Sequence, residues 1–246
     1  MRRVDLNADM GEGMGDDAAM LGIVTSANVA CGFHSGDPDT MLRTMRMAVE
    51  NGVGLGAHPG FADLEGFGRR RMVLPPESLA NLIRYQVGAA AAMAKAAGGR
   101  LAHVKLHGAM SNMAAVDRAM ALTCYRAALE VQGDLILMVQ AATEMERAAV
   151  ELGAAFAAEI FADRAYEEDG TLLDRSKPGA VLHDGAKAAA RIAAMIAEGA
   201  IITASGKRIP SRIDTICVHG DTPGAVAMAG ELRAVLEKGR VRVAAL

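Results

Sequence analysis

Short apolar runs of this chain end repeatedly in titratable residues, and this recurrence limits the folds that the chain can adopt. The run that carries His103, Lys105 and His107 shows the pattern best. In a β-strand these three residues point to one face, and Val104 and Leu106 point to the other. Comparable rows stand at 5–9, 55–58, 159–163 and 217–221. A paired core histidine beside a surface lysine would explain one row, but five rows predict a site built from several strand ends, because buried polar groups must be paired or functional.

Apolar strands alternate with helical segments along the whole sequence. Strands are predicted at 4–8, 23–30, 53–57, 101–106, 135–139, 155–161 and 215–218. Helices are predicted at 38–51, 76–97, 114–131, 141–152, 184–197 and 223–238, with a short hairpin edge at 200–203. Fully apolar strands such as 135–139 are typical of parallel sheets covered by helices. We therefore expect an α/β fold in which residues 1–246 form one domain, a seven-stranded β/α barrel.

The barrel is favoured over an open doubly wound sheet by the number of strands that end in polar residues. A closed barrel gathers all of these ends around one mouth, whereas an open sheet spreads them along a crevice. The candidate site residues at that mouth are Asp5, Asn7, Asp9, Glu12, His34, His58, His103, Lys105, His107, Glu159, Asp163, His219 and Asp221.

Composition excludes several classes of function. Aromatic residues make up only 3% of the chain and the net charge is −3, so neither base-stacking platforms nor a basic nucleic-acid surface is expected. The three cysteines are widely spaced and form no Cys-x-x-Cys pair, which argues against disulfides and a structural zinc site and fits the cytoplasm. We expect no signal peptide and no membrane span.

Three chemistries suit the predicted mouth. An aspartate and two histidines could hold a divalent ion for metal-assisted hydrolysis, although no diagnostic spacing supports a metal. A carboxylate could instead activate water for hydrolysis of an amide, while Lys105 or a histidine stabilises the oxyanion or protonates the leaving nitrogen. Lys105, Arg69 or Arg70 could also bind an anionic carboxylate or phosphate, alongside either reaction.

Some of these features also have a plain structural interpretation. The arginines at 69–71 could be a solvated loop, Asp221 could cap the last helix, and His183 beside Asp184 could be an exposed histidine at another cap. The glycine-rich loop at 11–17 lacks the Gly-Lys-Ser/Thr of a P-loop and carries Glu12, which disfavours a phosphate cradle. The polar segment at 163–179 is long for a connection and predicts a lid or binding loop.

Seven motifs in order make the chain resemble the LamB/YcsF family, the A subunits of 5-oxoprolinase. These motifs are DLNADMGEG at 5–13, ANVACGFH at 27–34, GAHPG at 56–60, GFGRR at 66–70, HVKLHGA at 103–109, FADRAY at 161–166 and HGD at 219–221. The resemblance implies a seven-stranded barrel similar to that of polysaccharide deacetylases. It also implies an ATP-dependent 5-oxoprolinase, with 5-oxoproline as substrate and two further subunits, B and C, as partners.

On this resemblance, the expected reaction converts 5-oxo-L-proline, ATP and two waters to L-glutamate, ADP and phosphate. Asp9 or Asp5 would activate water, Lys105 and His107 would steady the carbonyl oxygen or its phosphorylated form, and the other candidates would bind substrate. ATP is assigned chiefly to the partner subunits, and a divalent metal is left open. The alternatives are a stand-alone metal-dependent amide or carbohydrate deacetylase and a subunit that only binds substrate.

Overall fold

A computed structural model describes residues 2–182, 184–218 and 224–246. In chain order its elements are β1 (Arg3–Met10), α1 (Asp17–Leu21), β2 (Ser26–Ala30), α2 (Pro38–Glu50), β3 (Gly54–His58), α3 (Pro76–Ala96), β4 (Leu101–Lys105), α4 (Gly108–Ala114), α5 (Arg118–Val131), β5 (Ile136–Gln140), α6 (Glu144–Glu151), β6 (Phe156–Phe161), α7 (Gly185–Glu198), β7 (Ala200–Ile202), β8 (Arg208–Pro210), β9 (Thr215–Cys217), α8 (Ala225–Lys238) and β10 (Arg242–Val243).

Seven parallel strands close into a barrel, as the alternation of strands and helices predicts. β1 to β6 pair in sequence order, and β9 pairs with both β6 and β1 to complete the ring. β10 adds a short parallel pair outside the ring, at the amino end of β1, and β7 with β8 forms the predicted hairpin. The carboxyl ends of all seven barrel strands therefore lie at one mouth.

The residues after the fourth barrel strand fold differently from the prediction. A helix was expected from 114, but α4 begins directly after His107 and α5 begins only at Arg118, where the Asp117 side chain accepts the Met120 N–H as N-cap. Gly108 permits the early start because its φ is +52° and its backbone lies against the Gly68 carbonyl, where a Cβ would be only 2.8 Å away. The short α1 and β10 were not predicted.

The two faces of the barrel strands differ in chemistry. On β1, Leu6 and Ala8 belong to the apolar core shared with the surrounding helices. Asp5, Asn7 and Asp9 point into the barrel, since Asn7 contacts Glu159 of β6 and both Asn7 and Asp9 contact Lys105 of β4. Alternation along the strand thus places an apolar layer outside the ring and a polar column inside it.

The long segment between β6 and α7 folds back over the mouth. Single β-bridges join Arg164 to Val181 and Tyr166 to Leu172, and the Tyr166 hydroxyl accepts the Phe161 N–H at 2.7 Å. The segment therefore supplies residues to the cavity, as a predicted lid or binding loop would. In the part of the chain that the structure describes, no helix has both the length and the apolar character needed to cross a bilayer.

Candidate functional site

A cavity of about 430 Å³ opens at the carboxyl ends of the strands. Its floor includes Asp9, His58, Lys105 and His107, and Glu12 also lines it. Apolar contact surface comes from Phe67, Leu106 and Phe161, and the cationic side chains above the floor are Arg69, Arg71, Arg164 and Arg175. Acidic and imidazole groups thus lie below a rim of guanidinium groups.

Lys105 is the central cation of the floor. Its Nζ lies 2.9 Å from Asp9 Oδ1 and 3.0 Å from Glu159 Oε1, and it also donates to Asn7 Oδ1 at 3.2 Å. Burial disfavours the charged amine, but the negative charges of Asp9 and Glu159 outweigh burial and raise the Lys105 pKa well above its usual value. Lys105 is therefore an ammonium at neutral pH.

Asp9 is the carboxylate that combines this cation with access to the cavity. Its Oδ1 also accepts a hydrogen bond from Asn28 Nδ2 at 2.9 Å, and its Oδ2 lies 3.2 Å from His58 Nε2. The Asp9 side chain is 12% exposed, against 2% for Glu159. Burial raises the Glu159 pKa although the nearby Lys105 lowers it. Asp9 can consequently meet a ligand, whereas Glu159 supports Lys105 from below.

Backbone carbonyls fix the protonation of two histidines. His58 Nδ1 lies 2.8 Å from the Lys105 carbonyl oxygen, and His107 Nε2 lies 2.8 Å from the Phe67 carbonyl oxygen. A carbonyl only accepts, so each of these ring nitrogens carries a proton. The remaining nitrogens, His58 Nε2 and His107 Nδ1, face each other at 3.0 Å.

The three clustered histidines differ in pKa. Burial lowers the His58 pKa, but the charge of Asp9 and its hydrogen bond outweigh burial and raise it. Burial and the neighbouring His58 charge lower the His107 pKa. Burial also lowers the His34 pKa to about 3, and the His34 ring stacks on His107 with centroids 3.7 Å apart. His34 and His107 are therefore neutral at neutral pH.

Four of these side chains could hold a metal ion. Among the described residues, donor atoms of Glu12, His34, His58 and His107 all lie within 4.8 Å of one another. Glu12 Oε1 is 3.2 Å from His34 Nε2 and 3.5 Å from His107 Nδ1. Such a group of imidazoles and one carboxylate is suited to a divalent transition metal.

The loop from 59 to 68 packs tightly against the histidines. A Cβ on Gly60 would lie 2.8 Å from His34 Nδ1, and a Cβ on Gly68 would lie 2.7 Å from the His34 side chain and 2.8 Å from His107. Gly68 also has a φ of +63°, and Phe67 adopts a left-handed conformation with φ of +53°. The backbone therefore holds the stacked rings closely, which pre-organises the cluster.

Several predicted site residues lie inside the barrel rather than in the cavity. Asp5 is at the amino end of β1, where it accepts hydrogen bonds from the Thr25, Ser26 and Thr215 hydroxyls at 2.6–2.7 Å. The expectation that every polar residue lies at one mouth fails for Asp5, because the same strand face runs from one barrel end to the other.

Asn7 and His103 form the next polar layer above Asp5. Asn7 Nδ2 donates to Glu159 at 3.0 Å, and His103 Nε2 lies 2.7 Å from Asn28 Oδ1. Both residues are fully buried, and neither lines the cavity. They connect strands below the floor.

The loop arginines and the remaining candidates are divided among different surroundings. Arg69 lines the cavity, whereas Arg70 donates to buried Asp63 and lies outside it. Asp163 is buried near the mouth but does not line the cavity. His219 and Asp221, like His183, lie outside the described residues.

Several lining residues were not among the predicted site residues. They include Arg71, Ser111, Gln140, Arg164 and Arg175. Burial and, to a smaller extent, the positive charge of Arg175 lower the Arg164 pKa to about 10. Arg164 and Arg175 both lie in the long segment predicted as a lid or binding loop, and Arg164 also belongs to the FADRAY motif at 161–166.

A larger groove of about 870 Å³ lies outside the barrel, between α6 and the β7–β8 hairpin. Its lining side chains include Arg118, Glu146, Arg147 and Glu168, and no described histidine or cysteine belongs to it. Arg118 and Arg147 are already paired with Glu144. We therefore place the candidate site in the smaller cavity, where several titratable groups with shifted pKa values lie together.

Comparison with known proteins identifies the family. The model of the LamB/YcsF family matches residues 4–246. The A subunit of 5-oxoprolinase from Ruegeria pomeroyi is 58% identical over 100% of this chain and 99% of its own length, and that from Gluconobacter oxydans is 50% identical over 100% and 98%. The crystal structure of a lactam utilization protein from Thermus thermophilus superposes with a TM-score of 0.92 at 41% identity, covering 99% of this chain and 100% of that one. A family 4 carbohydrate esterase from Streptomyces lividans shares the fold alone, with a TM-score of 0.53 at 9% identity over 98% of this chain and 91% of that one. The chain belongs to the LamB/YcsF family.

Proposed function

We propose that this chain is the A subunit of an ATP-dependent 5-oxoprolinase, in which the lactam ring of 5-oxo-L-proline is opened to L-glutamate. The observation that carries the proposal is the buried Lys105–Asp9 pair, with Nζ and Oδ1 2.9 Å apart, facing a cavity of about 430 Å³. The names of the relatives at 50–58% identity support the same substrate.

The rim of the cavity suits an anionic substrate. 5-Oxoproline carries a carboxylate, and Arg69, Arg71, Arg164 and Arg175 offer guanidinium groups that can bind it by charge-assisted hydrogen bonds. Phe67, Leu106 and Phe161 provide an apolar surface for the ring carbons. A substrate carboxylate held at the rim would direct the lactam carbonyl toward the floor.

At the floor, Lys105 and Asp9 have complementary roles. The Lys105 ammonium would donate to the carbonyl oxygen as negative charge develops there, and Asp9 would accept a proton from the attacking water. The same proton can pass to the ring nitrogen when the C–N bond breaks. His107 presents no free N–H to the cavity, because its Nε2–H is bonded to Phe67, so the oxyanion role falls to Lys105 rather than to His107.

ATP makes the opening of an unstrained lactam favourable when its γ-phosphoryl group is transferred to the carbonyl oxygen. Lys105 would face that phosphorylated oxygen, and hydrolysis would yield glutamate, ADP and phosphate from 5-oxoproline, ATP and two waters. We assign ATP binding chiefly to subunits B and C, because the loop at 11–17 of this chain has no Gly-Lys-Ser/Thr and carries Glu12.

The test is glutamate formation from 5-oxoproline and ATP by the purified chain, alone and with subunits B and C. Turnover is expected only in the mixture. Lys105→Met should lower the rate at least about a hundredfold, from the loss of one oxyanion donor. Lys95→Met, which removes an exposed lysine in the last turn of α3, is the matched control and should leave the rate unchanged.

A deacetylase is the second candidate, favoured by the Glu12 and histidine cluster. It predicts release of acetate from an acetylated amide or sugar by the chain alone, without ATP. That result, together with no glutamate from the mixture, would replace the oxoprolinase proposal. Substrate binding with unchanged turnover in Lys105→Met and Asp9→Asn would leave only a substrate-binding role.

A further inference from the structure

We propose that Glu12, His58 and His107 bind one divalent transition-metal ion at the cavity floor, with zinc as the best fit. The three ligand atoms are Glu12 Oε1, His58 Nε2 and His107 Nδ1. Glu12 and His107 follow β1 and β4, and His58 is the last residue of β3. Two imidazoles and one carboxylate with a further coordination position open to the cavity form a set typical of catalytic zinc sites.

The two histidines are oriented as metal ligands are. His58 donates Nδ1–H to the Lys105 carbonyl oxygen, and His107 donates Nε2–H to the Phe67 carbonyl oxygen, each at 2.8 Å. Histidine ligands nearly always donate their other ring N–H to a carbonyl, a carboxylate or water, which fixes the tautomer that coordinates. His107 Nδ1 consequently presents a lone pair, and His58 Nε2 would present one when a metal ion displaces the proton that it shares with Asp9. Both nitrogens lie beside Glu12.

Two separations between these donor atoms are close to those of a tetrahedral site. Zinc–nitrogen and zinc–oxygen bonds of about 2.0–2.1 Å place tetrahedral ligand atoms about 3.3 Å apart. His58 Nε2 lies 3.0 Å from His107 Nδ1, and Glu12 Oε1 lies 3.5 Å from that nitrogen. Glu12 Oε1 and His107 Nδ1 are both acceptors, and a cation between them would explain why they face each other.

The charge of the floor also favours a cation. Asp9, Glu12 and Glu159 contribute carboxylates that are at most 12% exposed, and Lys105 contributes one ammonium. A divalent ion would add positive charge beside these carboxylates and so lower the cost of keeping them buried.

His34 is assigned to position Glu12 rather than to coordinate the ion. Its Nε2 is 3.2 Å from Glu12 Oε1, and among the described residues its buried Nδ1 meets no hydrogen-bond acceptor of the kind that anchors His58 and His107. His34 would donate Nε2–H to the Glu12 carboxylate. The stacking of the His34 ring on His107 would fix the orientation of that N–H. A positioning residue of this kind changes metal affinity about 10–100-fold.

Metal binding by these residues is independent of the substrate, but its use in the reaction rests on the proposed function. A bound ion at this position would supply Lewis-acid polarisation of the lactam carbonyl beside Lys105. Asp9 Oδ2, 3.2 Å from His58 Nε2, would remain available as the base.

The experiment measures zinc binding to the chelator-treated full chain by calorimetry, metal content by mass spectrometry, and the visible spectrum of the cobalt(II) form. One equivalent and a tetrahedral cobalt spectrum are expected. Glu12→Gln and His107→Asn should each weaken zinc binding more than about a hundredfold, and His34→Asn by a smaller factor. Glu65→Gln, an 88% exposed carboxylate on a neighbouring segment, is the control and should bind zinc as the unmodified chain does.

Circular dichroism and the urea midpoint establish that each variant is folded, and Glu12→Gln preserves the test if His107→Asn does not fold. No zinc or cobalt binding by the folded chain, or equal binding by both ligand variants, would overturn the site. Zinc binding without oxoprolinase turnover would refute the proposed function but not the site. Full turnover by a metal-free assembly that binds no zinc would refute the site but not the function.

Discussion

Asp5 and Asp9 lie on the same inward face of β1, four residues apart, yet their surroundings differ in kind. Asp5, at the amino end, accepts hydrogen bonds from three neutral hydroxyl groups and is 1% exposed. Asp9, at the carboxyl end, is bonded to the Lys105 ammonium and lines the cavity. One polar column therefore connects strands at one end and presents charge at the other.

The contrast depends on the kind of partner that each buried carboxylate has. Hydroxyl donors do not fully compensate burial, so burial raises the Asp5 pKa although the three hydroxyls lower it. At the carboxyl end, ionised groups of both signs lie together, and such groups are the ones that can bind or move charge on a substrate. This division agrees with the general role of the two ends of β/α barrels.

The largest expected effect separates the two aspartates by activity. Asp9→Asn should lower the rate of glutamate formation about 10²–10⁴-fold, because it removes the proposed base for the attacking water. Asp5→Asn should lower it less than about tenfold, because Asp5 lies outside the cavity. Initial rates measured with all three subunits present test both. Equal losses of activity in the two variants, with both chains folded, would contradict the division of β1 into a structural amino end and a catalytic carboxyl end.

The next effect concerns the stability of the charged layer. Lys105→Met leaves Asp9 and Glu159 buried without their ammonium and should lower the free energy of unfolding by about 3 kcal/mol, as the loss of one partner of a buried ion pair does. Adding Glu159→Gln should recover part of that loss, while activity stays low. Urea denaturation of the single and double variants tests this, and no recovery in the double variant would show that Glu159 is not coupled to Lys105.

A smaller effect distinguishes two adjacent arginines by the same reasoning. Arg69 lines the cavity with its guanidinium carbon 4.9 Å from the Phe67 ring centroid, whereas Arg70 is bonded to Asp63 outside it. Arg69→Gln should raise the KM for 5-oxoproline about tenfold, from the loss of one charged hydrogen bond. Arg70→Gln is the matched control and should change KM less than about twofold. A larger change for Arg70 would move the anion site away from the cavity.

Much of the barrel and of its inward polar row can be predicted from the sequence, because side chains along a strand alternate with a period of two. Seven strands, their order in a barrel and the inward row of Asp9, Lys105 and Glu159 all follow from apolar runs that end in polar residues. The cap at Asp184 was also predicted, and its side chain accepts the Lys187 N–H in the first turn of α7.

Other features depend on distances that periodicity does not contain. The same period that turns Asp9 inward also turns Asp5 inward, and the partners of Asp5, the hydroxyls of Thr25, Ser26 and Thr215, follow only from the packing of the neighbouring strands. Arg164 and Arg175 reach the cavity because a segment without period folds back across the mouth. The proposed metal ligands come from separate segments, so no spacing motif could identify them.

The smallest effect returns to Asp5, through the pH dependence of stability. Because burial raises the Asp5 pKa in the folded chain above 3.8, the folded chain holds this proton more tightly than the unfolded chain does. As pH rises from about 3.8 through the higher folded pKa, the native chain should lose stability relative to Asp5→Asn, and the difference should be constant above that range.

Asp37 should give the opposite sign, because hydrogen bonds from the Thr40 backbone and hydroxyl lower its pKa in the folded chain. The native chain should therefore gain stability relative to Asp37→Asn as pH rises toward 3.8. Urea denaturation from about pH 3 to 7 measures how the stability difference between the native chain and each variant changes with pH. If both differences change in the same direction, burial does not raise the Asp5 pKa and the three hydroxyls are sufficient to keep Asp5 ionised.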